Sequence, residues 1–149
     1  MPRLIHLLLF LALFFTACQS DSAKETPAKA PEPSLAEKLA DQQLVAYNKR
    51  DLESFLTFFS DTVKVYNSLH EFGYQGTQKM YEVYEGWFGM TESMHCQIIN
   101  RIATGNTVID HERIEYTIDG KENAFESIAI YKVAGDKIAE VHFVRPEWK

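Results

Sequence analysis

Two acidic residues near the middle of the chain have a spacing that could support acid/base chemistry. Asp110 and Glu112 lie two positions apart in a segment, residues 108–116, that reads Val-Ile-Asp-His-Glu-Arg-Ile-Glu-Tyr. Side chains alternate between the two faces of a β-strand, so both acids share a face with Val108, Ile114 and Tyr116. Two carboxylates about 6 to 7 Å apart on an inward face would raise at least one pKa, which could supply an acid or a base near neutral pH.

The last predicted strand adds a cation to this pair. By the same alternation, Val141, Phe143 and Arg145 point inward, which makes Arg145 a third candidate for the catalytic set. A structural interpretation stands beside the catalytic one. A charged side chain on a strand is usually solvated or paired, and an unpaired buried charge costs several kcal/mol, so the acids could instead be held by Arg145 or Arg101.

Three segments before these strands have helical patterns. Ser34 with Glu37 three residues later forms a capping box, which predicts that a helix begins there. A second short helix is predicted at Leu52–Phe59, and a third at Thr77–Phe88 with Gly89 ending it. The apolar stripe of the first helix is predicted to consist of Leu35, Leu39, Leu44, Val45 and Tyr47.

The remaining segments are typical of strands. Asp61–Asn67 alternates with period two, which places Val63, Val65 and Asn67 on one face. From His95 to Val144 the chain is predicted to form an antiparallel meander. Its turn signals are Gly105-Asn106, Asp119-Gly120 and Gly135-Asp136. Helices followed by strands indicate an α+β fold, in which three helices cover one face of a strongly curved antiparallel sheet.

The N-terminal residues predict export and lipid attachment. Residues 1–17 combine Arg3 with a largely apolar stretch and small residues before Cys18, as in a secretory signal peptide. Cys18 resembles the acylated cysteine of the bacterial lipobox, so we expect it to carry the lipid that anchors the protein to the cell envelope. Residues 18–34 are predicted to form a disordered tether with three prolines, and residues 35–149 the domain. The lack of an acidic residue directly after Cys18 favours the outer membrane.

The domain resembles the nuclear transport factor 2-like superfamily, in particular its SnoaL-like and ketosteroid-isomerase-like branch. The resemblance covers about residues 36–145 and rests on the order and spacing of several short segments. Those segments are 47–55, 58–63, Gly76, 129–133 and 135–141. It implies a cone-shaped domain with an apolar pocket between sheet and helices, often a homodimer through the outer sheet face. The superfamily includes both enzymes and non-catalytic binding proteins.

The catalytic residues of ketosteroid isomerases are not matched. The resemblance places Asn67 where the catalytic aspartate would be, Ala129 at the oxyanion-stabilising aspartate and Gln43 at the hydrogen-bonding tyrosine. An amide is not basic near neutral pH and alanine has no donor, so the isomerase mechanism is not expected. Arg145 near carboxylates is similar in residue type to the acid and arginine cluster of the related limonene epoxide hydrolases.

The remaining candidates concern ligand contact and metals. The predicted ligand-contacting residues are Gln43, Tyr47, Asn67, Tyr84, Trp87, Tyr131 and Phe143. Their aromatic members favour a flat or ring-containing ligand, although aromatic residues at this spacing also suit a plain core. The histidines show no H-x-H or H-E-x-x-H spacing, so neither a metal nor a cofactor is expected. Cys96 is predicted to be a buried apolar residue.

Charge excludes one class of function and leaves two open. The net charge of −6 indicates that the protein does not have the basic surface of a nucleic-acid-binding protein. The first hypothesis is an envelope-anchored protein that binds a small apolar molecule or a protein partner. The second is an enzyme performing acid/base chemistry on a small cyclic or polyketide-like substrate, with Asp110 or Glu112 as the base.

Overall fold

The computed structural model of the protein describes residues 32–145. The predicted signal peptide, Cys18 and most of the predicted tether lie outside these residues, so the proposed domain boundaries stay a prediction. The described residues form three helices: α1 (Leu35–Asn48), α2 (Leu52–Leu56) and α3 (Thr77–Met90). None of the helices within residues 32–145 is long and apolar enough to cross a membrane.

In this part of the chain, six strands form one sheet. They are β1 (Phe59–Tyr66), β2 (Phe72–Gln75), β3 (Ser93–Thr104), β4 (Thr107–Ile118), β5 (Lys121–Ala134) and β6 (Lys137–Val144). The strand order across the sheet is β2-β1-β6-β5-β4-β3. The predicted α+β fold, with helices packed against a curved sheet, is confirmed. Neighbouring strands are antiparallel except β1 and β6, which run parallel because helix α3 and the meander separate them in the chain.

The ends of the helices follow from specific side chains. The predicted capping box is present: Ser34 Oγ accepts from the Glu37 amide at 3.2 Å, and Glu37 accepts from the Ser34 amide at 2.8 Å. Helix α3 continues through Gly89 to Met90, beyond its predicted end. The guanidinium of Arg50 donates to the carbonyls of Phe88 and Thr91 and thereby satisfies the C-terminal carbonyls of α3.

The buried face of α1 differs from the predicted stripe. Leu35 and Val45 are about half exposed, at 49% and 52%. The buried positions are Ala36, Leu39, Ala40, Gln43 and Ala46. These residues recur every three to four positions, but most are alanines, which let the helix backbone approach the sheet closely. The stripe predicted from large apolar residues was therefore wrong at Leu35 and Val45.

The β4–β5 hairpin fixes the register of the sheet around the site. Asp119 and Gly120 both have positive φ, 50° and 68°, as a two-residue type I′ turn requires. The strands then pair without a bulge, from Ile118 opposite Lys121 to Thr107 opposite Lys132. Each residue of β4 therefore lies opposite the residue of β5 that is the same number of positions away from the turn.

Candidate functional site

A cavity of about 600 Å³ lies between the helices and the concave face of the sheet. Its walls come from α1, α3 and all six strands or the residues directly after them. The lining residues are Gln43, Leu44, Tyr47, Val65, Asn67, Tyr74, Val83, Tyr84, Gly86, Trp87, Met90, Cys96, Glu112, Ile114, Tyr116, Phe125, Ser127, Tyr131, Phe143 and Arg145. Val83, Met90 and Arg145 are exposed, so the cavity reaches the protein surface near them.

Glu112 is the one carboxylate of the described chain, residues 32–145, that lines this cavity. Its side chain lies in the wall with only 5% of the residue exposed. Burial raises the pKa of the Glu112 carboxyl to about 7, since charging it would require removal from water. The hydrogen bond from Tyr131 opposes that rise, the negative charge of Asp110 adds to it, and Arg145 and Arg101 lower the pKa.

A short chain of hydrogen bonds leads to Glu112. Gln43 Nε2 donates to the Ala40 carbonyl at 3.0 Å and to the Tyr131 hydroxyl at 3.3 Å. Tyr131 in turn donates to Glu112 Oε1 at 2.9 Å. Because the amide nitrogen can only donate, the Tyr131 hydroxyl accepts from Gln43 and gives its own hydrogen to Glu112. Oε1 therefore accepts the hydrogen of the Tyr131 hydroxyl. The other carboxyl oxygen, Oε2, is left to contact a molecule bound in the cavity.

Asp110 has a different environment from Glu112. It is fully buried, and the Arg101 guanidinium donates two hydrogen bonds to it, from Nε to Oδ1 at 2.6 Å and from Nη2 to Oδ2 at 2.8 Å. Arg101 also contacts Asp41 Oδ1 at 2.5 Å. Asp110 does not line the cavity: its carboxylate is bound in an ion pair with Arg101, as in the structural interpretation that the sequence left open, and its catalytic role stays a prediction.

A β-bulge in β3 makes this ion pair possible. Ile98 lies opposite Glu112 and Arg101 lies opposite Asp110, with the register shifting between Ile98 and Asn100. In a regular strand, positions 98 and 101 would face opposite sides. The extra residue turns Arg101 onto the inner face, where it meets Asp110. Sequence alternation alone does not reveal such a shift.

The predicted ligand-contacting residues all lie at the cavity. Gln43, Tyr47, Asn67, Tyr84, Trp87, Tyr131 and Phe143 are part of its lining. Several aromatic rings contact one another edge to face, such as Tyr47 with Tyr84 at 6.1 Å between ring centroids. Trp87 Nε1 donates to the Tyr47 hydroxyl at 2.9 Å, so this polar pair is satisfied within the wall. Whether these residues contact a ligand stays a prediction.

Arg145, the third predicted catalytic residue, lies at the rim. Its guanidinium is placed over the rings of Phe125 and Phe143, at 5.8 Å and 5.2 Å from the centroids. This geometry is that of a cation–π contact, which holds the guanidinium against two rings of the cavity wall. Arg145 can therefore influence the charge of Glu112 and meet the outer end of a ligand.

Sequence reasoning missed Ser127. Its Oγ is buried and has no hydrogen-bond partner within the described part of the chain, and the residue lines the cavity directly opposite Glu112 in β4. The turn at Asp119-Gly120 could have identified Ser127 from the sequence, because it sets which residues of β4 and β5 lie opposite each other. A two-residue hairpin turn pairs Glu112 with the residue eight positions beyond Asp119, which is Ser127.

The remaining polar candidates do not form a metal site. Within residues 32–145 no three His, Cys, Asp or Glu side chains are arranged to hold a metal ion. His142 lies on the outer face, stacked on Tyr66 at 4.2 Å, and pairs with Glu140 at 2.7 Å. Cys96 is buried in the cavity wall as predicted, and burial raises the pKa of its thiol, which keeps it protonated and unreactive.

Comparison with known proteins extends these observations. A family model described as a SnoaL-like domain matches residues 40–141. A search of curated protein sequences gives no significant match.

Solved structures share the fold at low sequence identity. A candidate SnoaL-like polyketide cyclase from Shewanella denitrificans superimposes with a TM-score of 0.69 at 13% identity, covering 76% of this chain and 92% of that one. An NTF2-like protein from Anabaena variabilis gives 0.68 at 16% identity, with 80% and 96% covered. An LEH-like epoxide hydrolase from M. tuberculosis gives 0.67 at 15% identity, with 79% and 83% covered. At these identities the similarity establishes the fold alone.

Proposed function

The chain belongs to the SnoaL-like domain family, and on that premise we propose that its cavity binds a small, largely apolar, ring-containing molecule. The observation that carries the proposal is the cavity itself. Its volume of about 600 Å³ is within the range of small-molecule sites, and tyrosine, tryptophan and phenylalanine side chains make up much of its wall. Aromatic walls favour flat ligands because rings stack or meet edge to face.

Two glycines of α3 provide a matched test of this proposal. Gly86 lines the cavity and Gly89 does not, and a Cβ at either position would meet no atom within 4 Å. Gly86→Leu therefore adds a bulky side chain at the cavity wall, at a position where its Cβ has room, whereas Gly89→Leu is the control. Both substitutions replace a helical glycine and should not weaken the helix.

The ligand is sought by native mass spectrometry of protein purified from the cells that produce it. The wild type and Gly89→Leu should carry the same bound small molecule, and Gly86→Leu should carry much less. Equal occupancy in all three proteins, or no ligand in the wild type when candidate ring compounds are added, would contradict binding in the cavity.

Acid/base catalysis is the second candidate function, and Glu112 is the observation that favours it. A carboxyl with a pKa of about 7 exists in both protonation states near neutral pH, so it can give or take a proton from a bound molecule. The similar folds of an epoxide hydrolase and a candidate polyketide cyclase are compatible with such chemistry. Tyr131 would hold the carboxyl in place through its bond to Oε1.

Glu112→Gln separates catalysis from binding. The amide keeps the size of the side chain but cannot transfer a proton at neutral pH. If Glu112 is catalytic, the wild-type protein should convert an added substrate to another compound, whereas Glu112→Gln should bind the same substrate and leave it unchanged. Recovery of the same unchanged compound from both proteins would contradict catalysis and leave binding as the function.

We further propose that the protein acts at the cell envelope, attached by lipid on Cys18. The support is the sequence of residues 1–18, with its apolar stretch and its cysteine after small residues. The bound acyl chains would hold the domain at the membrane surface, where apolar molecules concentrate. We place the protein at the outer membrane because Gln19 and Ser20 follow the cysteine in place of an acidic residue.

We also propose that two copies associate through the outer face of the sheet. Ile102, Ile109 and Ile130 lie opposite one another on β3, β4 and β5, on the face away from the cavity. This row continues into His142 of β6, and beside it Lys132 pairs with Glu140 at 2.5 Å. Because the row of apolar residues lies next to charges of both signs, the face can complement a copy of itself.

A further inference from the structure

We propose that the ligand of the cavity is a ring alcohol or phenol, whose single hydroxyl group is held between Glu112 and Ser127. This inference rests on the proposed binding function and adds the chemical class of the ligand. It is based on two polar atoms of the cavity wall that lack a partner within the described chain and on their position relative to each other.

The first atom is Ser127 Oγ. The residue is 2% exposed, and its hydroxyl makes no hydrogen bond within residues 32–145. A buried hydroxyl without a partner destabilises the fold, so such groups are rare unless something else binds them. The Oγ atom itself is covered by its neighbours, so a ligand in the cavity that Ser127 lines supplies the missing bond once the side chain turns about χ1 toward it.

The second atom is Glu112 Oε2. The Tyr131 hydroxyl already donates to Oε1, and Oε2 makes no hydrogen bond within residues 32–145. Glu112 and Ser127 are directly opposite in the β4–β5 ladder and share its inner face. The Cβ atoms of such a pair are about 4.5 to 5.5 Å apart, so one ligand oxygen between the side chains can reach both.

The chemistry of the two atoms selects a hydroxyl. An ionised Glu112 can only accept, and the Ser127 hydroxyl has a hydrogen to donate. A ligand hydroxyl gives its hydrogen to Glu112 Oε2 and accepts from Ser127 Oγ, so both bonds form at once. A ketone has no hydrogen for the carboxylate, a ligand carboxylate would be repelled by it, and a hydrocarbon would leave both atoms unpaired.

The surroundings of the two polar atoms favour an apolar group for the rest of the molecule. Val65, Ile114, Phe125 and Phe143 are also part of the cavity wall. Further polar substituents on the ligand would lose their bonds to water without replacement at these side chains. A hydroxyl at one end of an otherwise apolar ring system therefore matches the lining best.

The experiment compares three probes of similar size: naphthalene, 2-naphthol and 2-acetylnaphthalene. Their dissociation constants are measured by equilibrium dialysis against the purified full chain at pH 8.5, where Glu112 is ionised. Two hydrogen bonds should make 2-naphthol bind about 10-fold more tightly than naphthalene. An apolar cavity without these bonds would prefer naphthalene, so this order is diagnostic. The ketone should bind more weakly than 2-naphthol.

Ser127→Ala tests the subsite directly. In the wild type, the dissociation constant of naphthalene should be about 10 times that of 2-naphthol, and in Ser127→Ala this ratio should fall to about 3. Ser93→Ala changes an exposed strand position and should leave the ratio at the wild-type value. Equal binding of naphthalene and 2-naphthol, or tighter binding of the ketone, would overturn the alcohol assignment while leaving the binding function intact. Failure of all three probes to bind would contradict the proposed function itself.

Discussion

Tyr131 donates a 2.9 Å hydrogen bond to Glu112 across two neighbouring strands, and both side chains are buried in the wall of one cavity. Gln43 donates to the Tyr131 hydroxyl, which fixes the direction of the bond. Glu112 is therefore oriented through one oxygen and available through the other. By contrast, Asp110, two residues earlier, is held at both oxygens by Arg101.

The Arg101–Asp110 ion pair should be essential for stability. Arg101→Met leaves a fully buried carboxylate without its cation, so the free energy of unfolding should fall by about 3 to 5 kcal/mol in urea denaturation. The double variant Arg101→Met with Asp110→Leu should lose much less, because it removes the unpaired charge as well. A single variant as stable as the wild type would show that Asp110 does not depend on Arg101.

Stability should depend on pH through Glu112. Its carboxyl titrates at about 7 in the folded protein and at 4.5 in the unfolded chain, so the folded state holds the extra proton between these values. The unfolding free energy of the wild type should therefore fall, relative to Glu112→Gln, as the pH rises from about 5 to 8. The full difference is on the order of 3 kcal/mol.

Chemical denaturation at several pH values measures this difference. The charged and titratable groups that act on Glu112 are Asp110, Arg101, Arg145 and Tyr131. They are unchanged in the Gln variant, so subtraction of the two curves isolates Glu112. Parallel curves for the two proteins would mean that Glu112 has the same pKa in both states.

Cys18 should determine where the protein is found in the cell. Cys18→Ala should move the protein from the detergent phase to the aqueous phase of a detergent-partition experiment, because the acyl chains that anchor it cannot be attached. Cys96→Ala is the control, since this buried thiol is in the cavity wall and should leave partitioning unaltered. Detergent-phase recovery of Cys18→Ala would contradict the lipid anchor.

The outer face of the sheet should control self-association. Ile109→Asp places a charge in the apolar row between Ile102 and Ile130, so sedimentation velocity should detect a dimer for the wild type and a monomer for the variant. Gln42→Asp, at an exposed position of helix α1 on the other side of the sheet, should remain dimeric. A wild-type protein that sediments as a monomer at high micromolar concentration would contradict association through this face.

The sequence was a good guide where a rule of local geometry applies. The capping box at Ser34 and Glu37 and the turn at Asp119-Gly120 are recognisable because each depends on a few adjacent residues. Strand alternation correctly turned Glu112 toward the interior, since a bulge-free hairpin preserves the period of two along β4.

The errors arose where tertiary contacts override local patterns. The bulge beside Ile98 reverses the face of Arg101, and no local signal marks it. In α1 the alanines are buried and Leu35 is half exposed, because close packing against the sheet selects small side chains. Helix α3 passes Gly89 because Arg50, distant in sequence, satisfies its terminal carbonyls.

Direct titration of Glu112 tests the central claim that a buried carboxyl in the cavity changes charge near neutral pH. The side-chain carboxyl signal is followed by carbon-13 NMR between pH 4 and pH 9, with Glu112→Gln used to assign it. The apparent pKa of Glu112 should lie near 7, because burial outweighs the Tyr131 hydrogen bond. A pKa near 4.5 would show that the carboxylate is solvated and would contradict a buried carboxyl that changes charge near neutral pH.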